Sequence, residues 1–218
     1  HEFSFEIDYT DDSHDYFNES NYFNVIPSEE YKFLRENSHF HYVTIFNANY
    51  RLKFDDDQHF LEVDYNINSS KNKYPITDYE NNTLLFNQFL TEDFVLQSLA
   101  LDYTLPVNDK LIIETGISKN TQILESQNLF SPVNETSISS QFEYDECLLG
   151  LYGLAKFSVG QVKLQAGLRY EYFKSNSKIE TTNFETVQNF SNLFPSVHFS
   201  LPINNNNTLN LGYSKRVS

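Results

Sequence analysis

Tryptophan and methionine are absent from this 218-residue chain, cysteine occurs once, and glycine and proline six times each. The lone Cys147 cannot close an internal disulfide, and its strand-like surroundings make it a packed residue rather than a reactive thiol. Positive charge is scarce too: 15 Lys and Arg stand against 30 Asp and Glu, a formal charge of −15. A phosphate backbone needs clustered cations, so no nucleic acid is expected as a partner.

Long apolar runs are also missing. The nearest approach, "CLLGLYGLAKF", falls far short of the ~20 residues that a spanning helix needs. A membrane barrel is not excluded by this, since its strands cross with ~9–11 tilted residues of which only the outward face must be apolar. The opening "HEFSFEIDYTDD" shows no basic or apolar leader pattern, so a signal peptide is expected to have been removed or to precede the segment. Phosphate loops, GxSxG elbows and HExxH helices are absent, and neither enzymatic activity nor a cofactor is expected. His39 and His41 form an HxH pair without further ligands at metal spacing, and solvated histidines fit them better than a metal site.

What the chain does have is 15 Tyr and 20 Phe, an aromatic load that suits strands. In "QVKLQAGLRYEY" one face carries Val162, Leu164, Ala166, Leu168, Tyr170 and Tyr172, and the other Gln161, Lys163, Gln165, Gly167, Arg169 and Glu171. The same beat sets Leu61, Val63, Tyr65 and Ile67 against Glu62, Asp64, Asn66 and Asn68, and Phe3, Phe5, Ile7 and Tyr9 against Glu2, Ser4, Glu6 and Asp8. Period-two alternation predicts half-solvated antiparallel strands.

Nine strands are predicted, near 1–10, 39–54, 58–70, 93–106, 109–121, 140–158, 160–175, 192–203 and 207–217. Tight turns are expected at Asp55-Asp56-Asp57, Val107-Asn108, Val159-Gly160 and Asn204 to Asn207. The intervening segments 11–38, 71–92, 122–139 and 176–191 read as long polar loops. An up-and-down meander places short turns at one rim and long loops at the other, as outer-membrane barrels do. Tyr9, Tyr42, Tyr65, Tyr103, Tyr170 and Tyr172 are expected near strand ends, as an interfacial girdle. The fold class expected is all-β: an antiparallel meander forming part of a transmembrane outer-membrane β-barrel.

Three blocks carry a family likeness: Gly167-Leu168-Arg169-Tyr170-Glu171, Leu193-Phe194-Pro195-Ser196, and Tyr213-Ser214-Lys215-Arg216. In this order they resemble an outer-membrane β-barrel family of Bacteroidota related to TonB-dependent receptors, over about residues 93–218. The resemblance implies an outer-membrane location and nutrient uptake or binding. It also implies a plug domain, a TonB-type energising complex and a surface lipoprotein as partners, beside outer-membrane lipid.

Nine is an odd strand number with two bare edges, so residues 1–218 are expected to be a single partial barrel domain, a piece of a longer barrel whose plug and remaining strands lie elsewhere. Glu62, Asp64, Asp102, Glu114, Lys163, Gln165, Arg169 and Glu171 are expected to face its lumen. A non-transporting surface barrel, serving as scaffold or adhesin, would show the same strands, and a secreted β-sandwich binding module remains open at this stage.

Overall fold

The computed structural model describes residues 1–23, 30–54, 57–204 and 206–215. The described residues form one nine-stranded antiparallel sheet, each strand paired with its chain neighbours. The strands are β1 (Glu2–Phe23), β2 (Glu30–Lys53), β3 (Phe60–Glu80), β4 (Thr83–Asn108), β5 (Leu111–Pro132), β6 (Ile138–Val159), β7 (Val162–Ile179), β8 (Phe184–Asn204) and β9 (Asn207–Ser214). No α-helix occurs among the described residues; one 3-10 turn, Glu180–Thr182, joins β7 to β8.

The strand count matches expectation, but the strands are far longer than the sequence suggested. Segments 71–92, 122–139 and 176–191 are largely ladder, as is the described part of 11–38. Polarity without an apolar stripe reads as loop in a single sequence. Here a neighbour of similar length offers each such segment a full set of backbone partners, and the backbone takes them. Among the described residues the connections are therefore short at both rims.

Asn81 and Asn82 join β3 to β4 with φ of 49° and 63°, a left-handed pair that asparagine tolerates and a two-residue hairpin requires. Asn81 also docks this tip on β2: its backbone N–H donates to the Lys32 carbonyl at 2.8 Å, and its Oδ1 accepts from the Lys32 N–H at 2.9 Å. At the other rim the turn expected at Val107-Asn108 falls instead at Asp109 and Lys110, where Asn108 Oδ1 accepts the Lys110 N–H at 2.9 Å. Gly160 turns β6 into β7 at a φ of 61°. Asp55, Asp56, Asn205 and the end of the last predicted strand, including Arg216, lie outside the described residues.

Register decides which face each side chain shares. Phe3, Tyr50, Val63, Leu101, Ile117, Leu151, Tyr170 and Leu193 form a continuous row across β1 to β8. Not one apolar residue is buried among the described residues, and Phe3, Leu168 and Leu211 are 66%, 51% and 60% exposed. A sandwich would bury that face against a second sheet ~10 Å away. With a single sheet and no buried apolar core among the described residues, so continuous an apolar surface must be covered by lipid or by another protein surface.

The apolar band crosses the ladder obliquely. Relative to the Phe3 row it extends up to Tyr9 on β1, only to Tyr172 on β7, and no higher than Leu193 itself on β8. Its lower edge correspondingly falls to Leu201 on β8 and Leu209 on β9. A slide of about one residue per strand is what a flat membrane cuts from strands tilted by ~35–45°. Tyr9, Tyr42, Tyr65, Tyr170 and Tyr172 lie on this outward face at or near the upper edge, and Tyr103 lies lower. All six sit inside long strands rather than at strand ends.

Candidate functional site

On the opposite face the register gathers charge. One row runs Glu2, Arg51, Glu62, Asp102, Gly116, Tyr152 and Arg169; the next runs Ser4, Asn49, Asp64, Ala100, Ser118, Gly150 and Glu171. Glu114 lies one step below Gly116 on the same face, and Gln165 and Lys163 below Arg169. All eight residues singled out from sequence thus share one face, and six of them form a belt at the height of the apolar band.

The belt is cross-linked. Arg51 Nη2 donates to Glu62 Oε2 at 2.7 Å, and Asn49 Nδ2 reaches both Glu62 Oε1 at 2.8 Å and Asp64 Oδ1 at 2.6 Å. Arg51 also lies over the Phe60 ring, 4.6 Å from its centroid. Further along, the Tyr152 hydroxyl donates to Asp102, Lys156 pairs with Glu114, and Arg169 Nε donates to Glu171 Oε1 at 2.6 Å. Most of these charges are partnered from a neighbouring strand or from two residues along their own, the spacings at which strand side chains meet on one face, while Tyr152 reaches Asp102 across Gly116 of the intervening strand.

Two glycines make room for these partners. A Cβ at Gly116 would collide with the Asp102 carboxylate and the Tyr152 ring, and one at Gly150 would lie 2.7 Å from Arg169 Nη2. Arg51, Tyr152, Lys156 and the two glycines were not singled out from sequence. Their signal is positional only, since each becomes informative once register places it opposite a carboxylate or a guanidinium. Lys163 and Gln165 do not join the belt; they border an open recess of about 300 Å³ with His198 and Gly212.

Above the apolar band the wetting of the sheet reverses. Lys174, Asn176 and Lys178 continue the outward face of β7, while Phe173 and Ile179 occupy the other. Phe142, Phe184 and Phe190 join them by register, and the Phe173 and Phe190 rings stack with centroids 4.7 Å apart. Phe86 and Phe130 make a similar pair at 4.8 Å.

At the upper rim Arg35 clasps Asp78 through two bonds, Nε to Oδ1 at 2.8 Å and Nη2 to Oδ2 at 2.7 Å, and the carboxylate is only 1% exposed. The hydrogen bond to Asp78 holds the Arg35 guanidinium above its ordinary pKa. The Tyr144 hydroxyl, bonded to Glu146 at 2.5 Å, is likewise pushed above the usual phenol value, chiefly by that bond and then by burial. His39 stacks on Tyr74 at 4.5 Å and neighbours His41 at 5.7 Å. No cluster of three metal-ligating side chains forms among the described residues.

A tilted apolar band, a polar ion-paired face behind it and an unbroken meander define the wall of a transmembrane β-barrel. Residues 52–218 match the outer membrane protein β-barrel family, and the chain belongs to it. It is an outer-membrane protein. Among solved structures it resembles the ferric citrate transporter FecA, with a TM-score of 0.51 and 11% identity over 88% of this chain and 34% of that one. It also resembles the alcaligin outer-membrane receptor FauA from Bordetella pertussis, with a TM-score of 0.50 and 13% identity over 88% and 33%. Identities this low show the fold alone, and the chain spans about a third of the length of either protein. No curated protein sequence matches the chain.

Proposed function

We propose that the chain forms part of the wall of a TonB-dependent-receptor-like barrel that takes up or binds a nutrient across the outer membrane. The belt of Glu62, Asp64, Asp102, Glu114, Arg169 and Glu171, lying behind the apolar band, carries this reading. Charges at membrane depth persist only where they line water or protein. In this reading the belt faces the lumen, where it meets solute or a plug domain worked by an inner-membrane energising complex. Lys163 and Gln165 face the same lumen nearer the turn rim.

The open backbone edges of β1 and β9 also call for covering strands, since unpaired N–H and C=O groups do not survive in hydrocarbon. Residues 1–218 are then one partial barrel domain within a larger closed barrel.

Thiol scanning of the full-length protein in vesicles tests the lumen assignment. Cysteines at Glu62, Asp102 and Arg169 should react with a water-soluble reagent and escape quenching by brominated lipid, and cysteines at Val63, Leu101 and Tyr170 should do the reverse. The opposite pattern ends the proposal. Uptake itself is tested by comparing nutrient use of a deletion strain and its parent, with and without a protonophore; no energy-dependent difference on any source would reduce the protein to a surface scaffold.

A further inference from the structure

The outward residues just above the apolar band form a distinct line. From β3 to β8 they are Ser69, Gln97, Lys119, Cys147, Lys174 and Ser191. None is a carboxylate, in a chain whose acids outnumber its bases two to one. The outward carboxylates of these strands lie further from the band, at Asp93, Glu125, Asp145, Glu143 and Glu185, and Asp93 is already taken by Lys71 at 2.8 Å. On β1 the corresponding position is Asp11, four strands away from Lys119.

Lys119 and Lys174 are both exposed and have no ion pair or hydrogen-bond partner among the described residues. Lys71, Lys156 and Lys178, by contrast, all have carboxylate partners. Leu99 and Leu149 flank Lys119 in its row, so its stem lies on apolar surface and its ammonium must reach upward. From the spacing of strands and residues, the two lysine Cα atoms are roughly 12 Å apart. Above the line that joins them, on the side away from the apolar band, is a recess of about 330 Å³, bordered by Thr121, Ile123, Asp145, Cys147, Lys174 and Asn176.

We infer that Lys119 and Lys174 bind the phosphate groups of an outer-leaflet lipid headgroup, with the recess receiving the part of the headgroup farther from the acyl chains. The inference rests on the apolar face meeting lipid and on the extended rim lying outside the cell. Two unpaired cations at the headgroup level of an acidic protein find their counter-charge in the membrane. An interfacial cation near an anionic surface strengthens association by about fivefold, and the pair by roughly thirtyfold.

The full-length protein, reconstituted in zwitterionic nanodiscs and titrated with diphosphoryl or monophosphoryl lipid A, gives the test by native mass spectrometry. The diphosphoryl form should bind more tightly, a Lys119→Gln/Lys174→Gln variant should lose roughly thirtyfold in that affinity, and millimolar inorganic phosphate should not displace the lipid. Equal affinities for wild type and variant, or displacement by free phosphate, overturn the inference. A fluorophore on Cys147, with Cys147→Ser as the blank, reads the face independently. Quenching by brominated lipid with no lysine effect overturns the phosphate site alone, whereas no quenching overturns the outward assignment and the site with it. Heat-modifiable mobility on gels confirms that the variant is folded.

Discussion

Strand β7 is wetted in opposite ways along its length. From Val162 to Tyr172 its outward side chains are apolar and its inward ones are Lys163, Gln165, Gly167, Arg169 and Glu171; beyond Tyr172 the outward side turns to Lys174, Asn176 and Lys178 and the inward side to Phe173, Ser175, Ser177 and Ile179. The ladder itself does not change, since the pairing with β6 and β8 runs unbroken through the switch. Hydrogen bonding therefore builds the strand, and the surrounding medium selects its side chains. Lipid outside and charge inside give way to water outside and uncharged side chains, Phe173 and Ile179 among them, inside. At 18 residues for β7 and 26 for β4, the strands are about twice as long as the ~9–11 residues that a crossing needs.

The sharpest way to break this comparison is one substitution on both sides of the switch. Leu168→Arg should cost ~2–4 kcal/mol near the bilayer midplane, and Asn176→Arg close to nothing. Urea titration of the protein in lipid vesicles measures both, and a similar cost at the two sites would deny that the membrane ends near Tyr172. Next in size, Arg35→Ala should cost about 3 kcal/mol by leaving the buried Asp78 carboxylate unpaired. That loss belongs to the upper half alone, so hydrogen exchange should quicken around the β2, β3 and β4 tips while the rows near Val63 keep their protection.

The lower half has its own control pair. Gly116→Ala should destabilise by about 2 kcal/mol through overpacking against Asp102 and Tyr152, whereas Gly153→Ala, where an added Cβ meets nothing within 4 Å, should be nearly neutral. Equal effects, measured by the same titration, would mean that the belt is loosely packed. The smallest effect is expected at the upper tip. Asn81→Ala should cost about 1 kcal/mol through its left-handed backbone and the lost Lys32 bond, and Asn81→Gly should recover part of it, as thermal unfolding of the tip would show.

The lower half was the more legible of the two. Alternation in "QVKLQAGLRYEY" and "HFLEVDYNIN" announced strand and face together, because an apolar medium on one side and charge on the other leave a clean period of two. The upper half hid behind its composition. In 71–92 and 176–191 both faces carry polar residues, and the aromatics that mark the inward face are spread over several strands. Phe142, Phe173, Phe184 and Phe190 look like strays until register sets them side by side.

The sequence by itself determined that the chain is β throughout, that it meanders through nine strands and that one face is apolar, because alternation and turn residues are local properties of the backbone. It also put Glu62, Asp64, Asp102, Glu114, Lys163, Gln165, Arg169 and Glu171 on polar faces of their own strands. Only the tertiary structure decided that Arg51 answers Glu62, that Tyr152 answers Asp102, and that Lys119 and Lys174 are left without partners. Those facts depend on cross-strand register, which is fixed by the summed pairing of whole strands, and no single strand contains it.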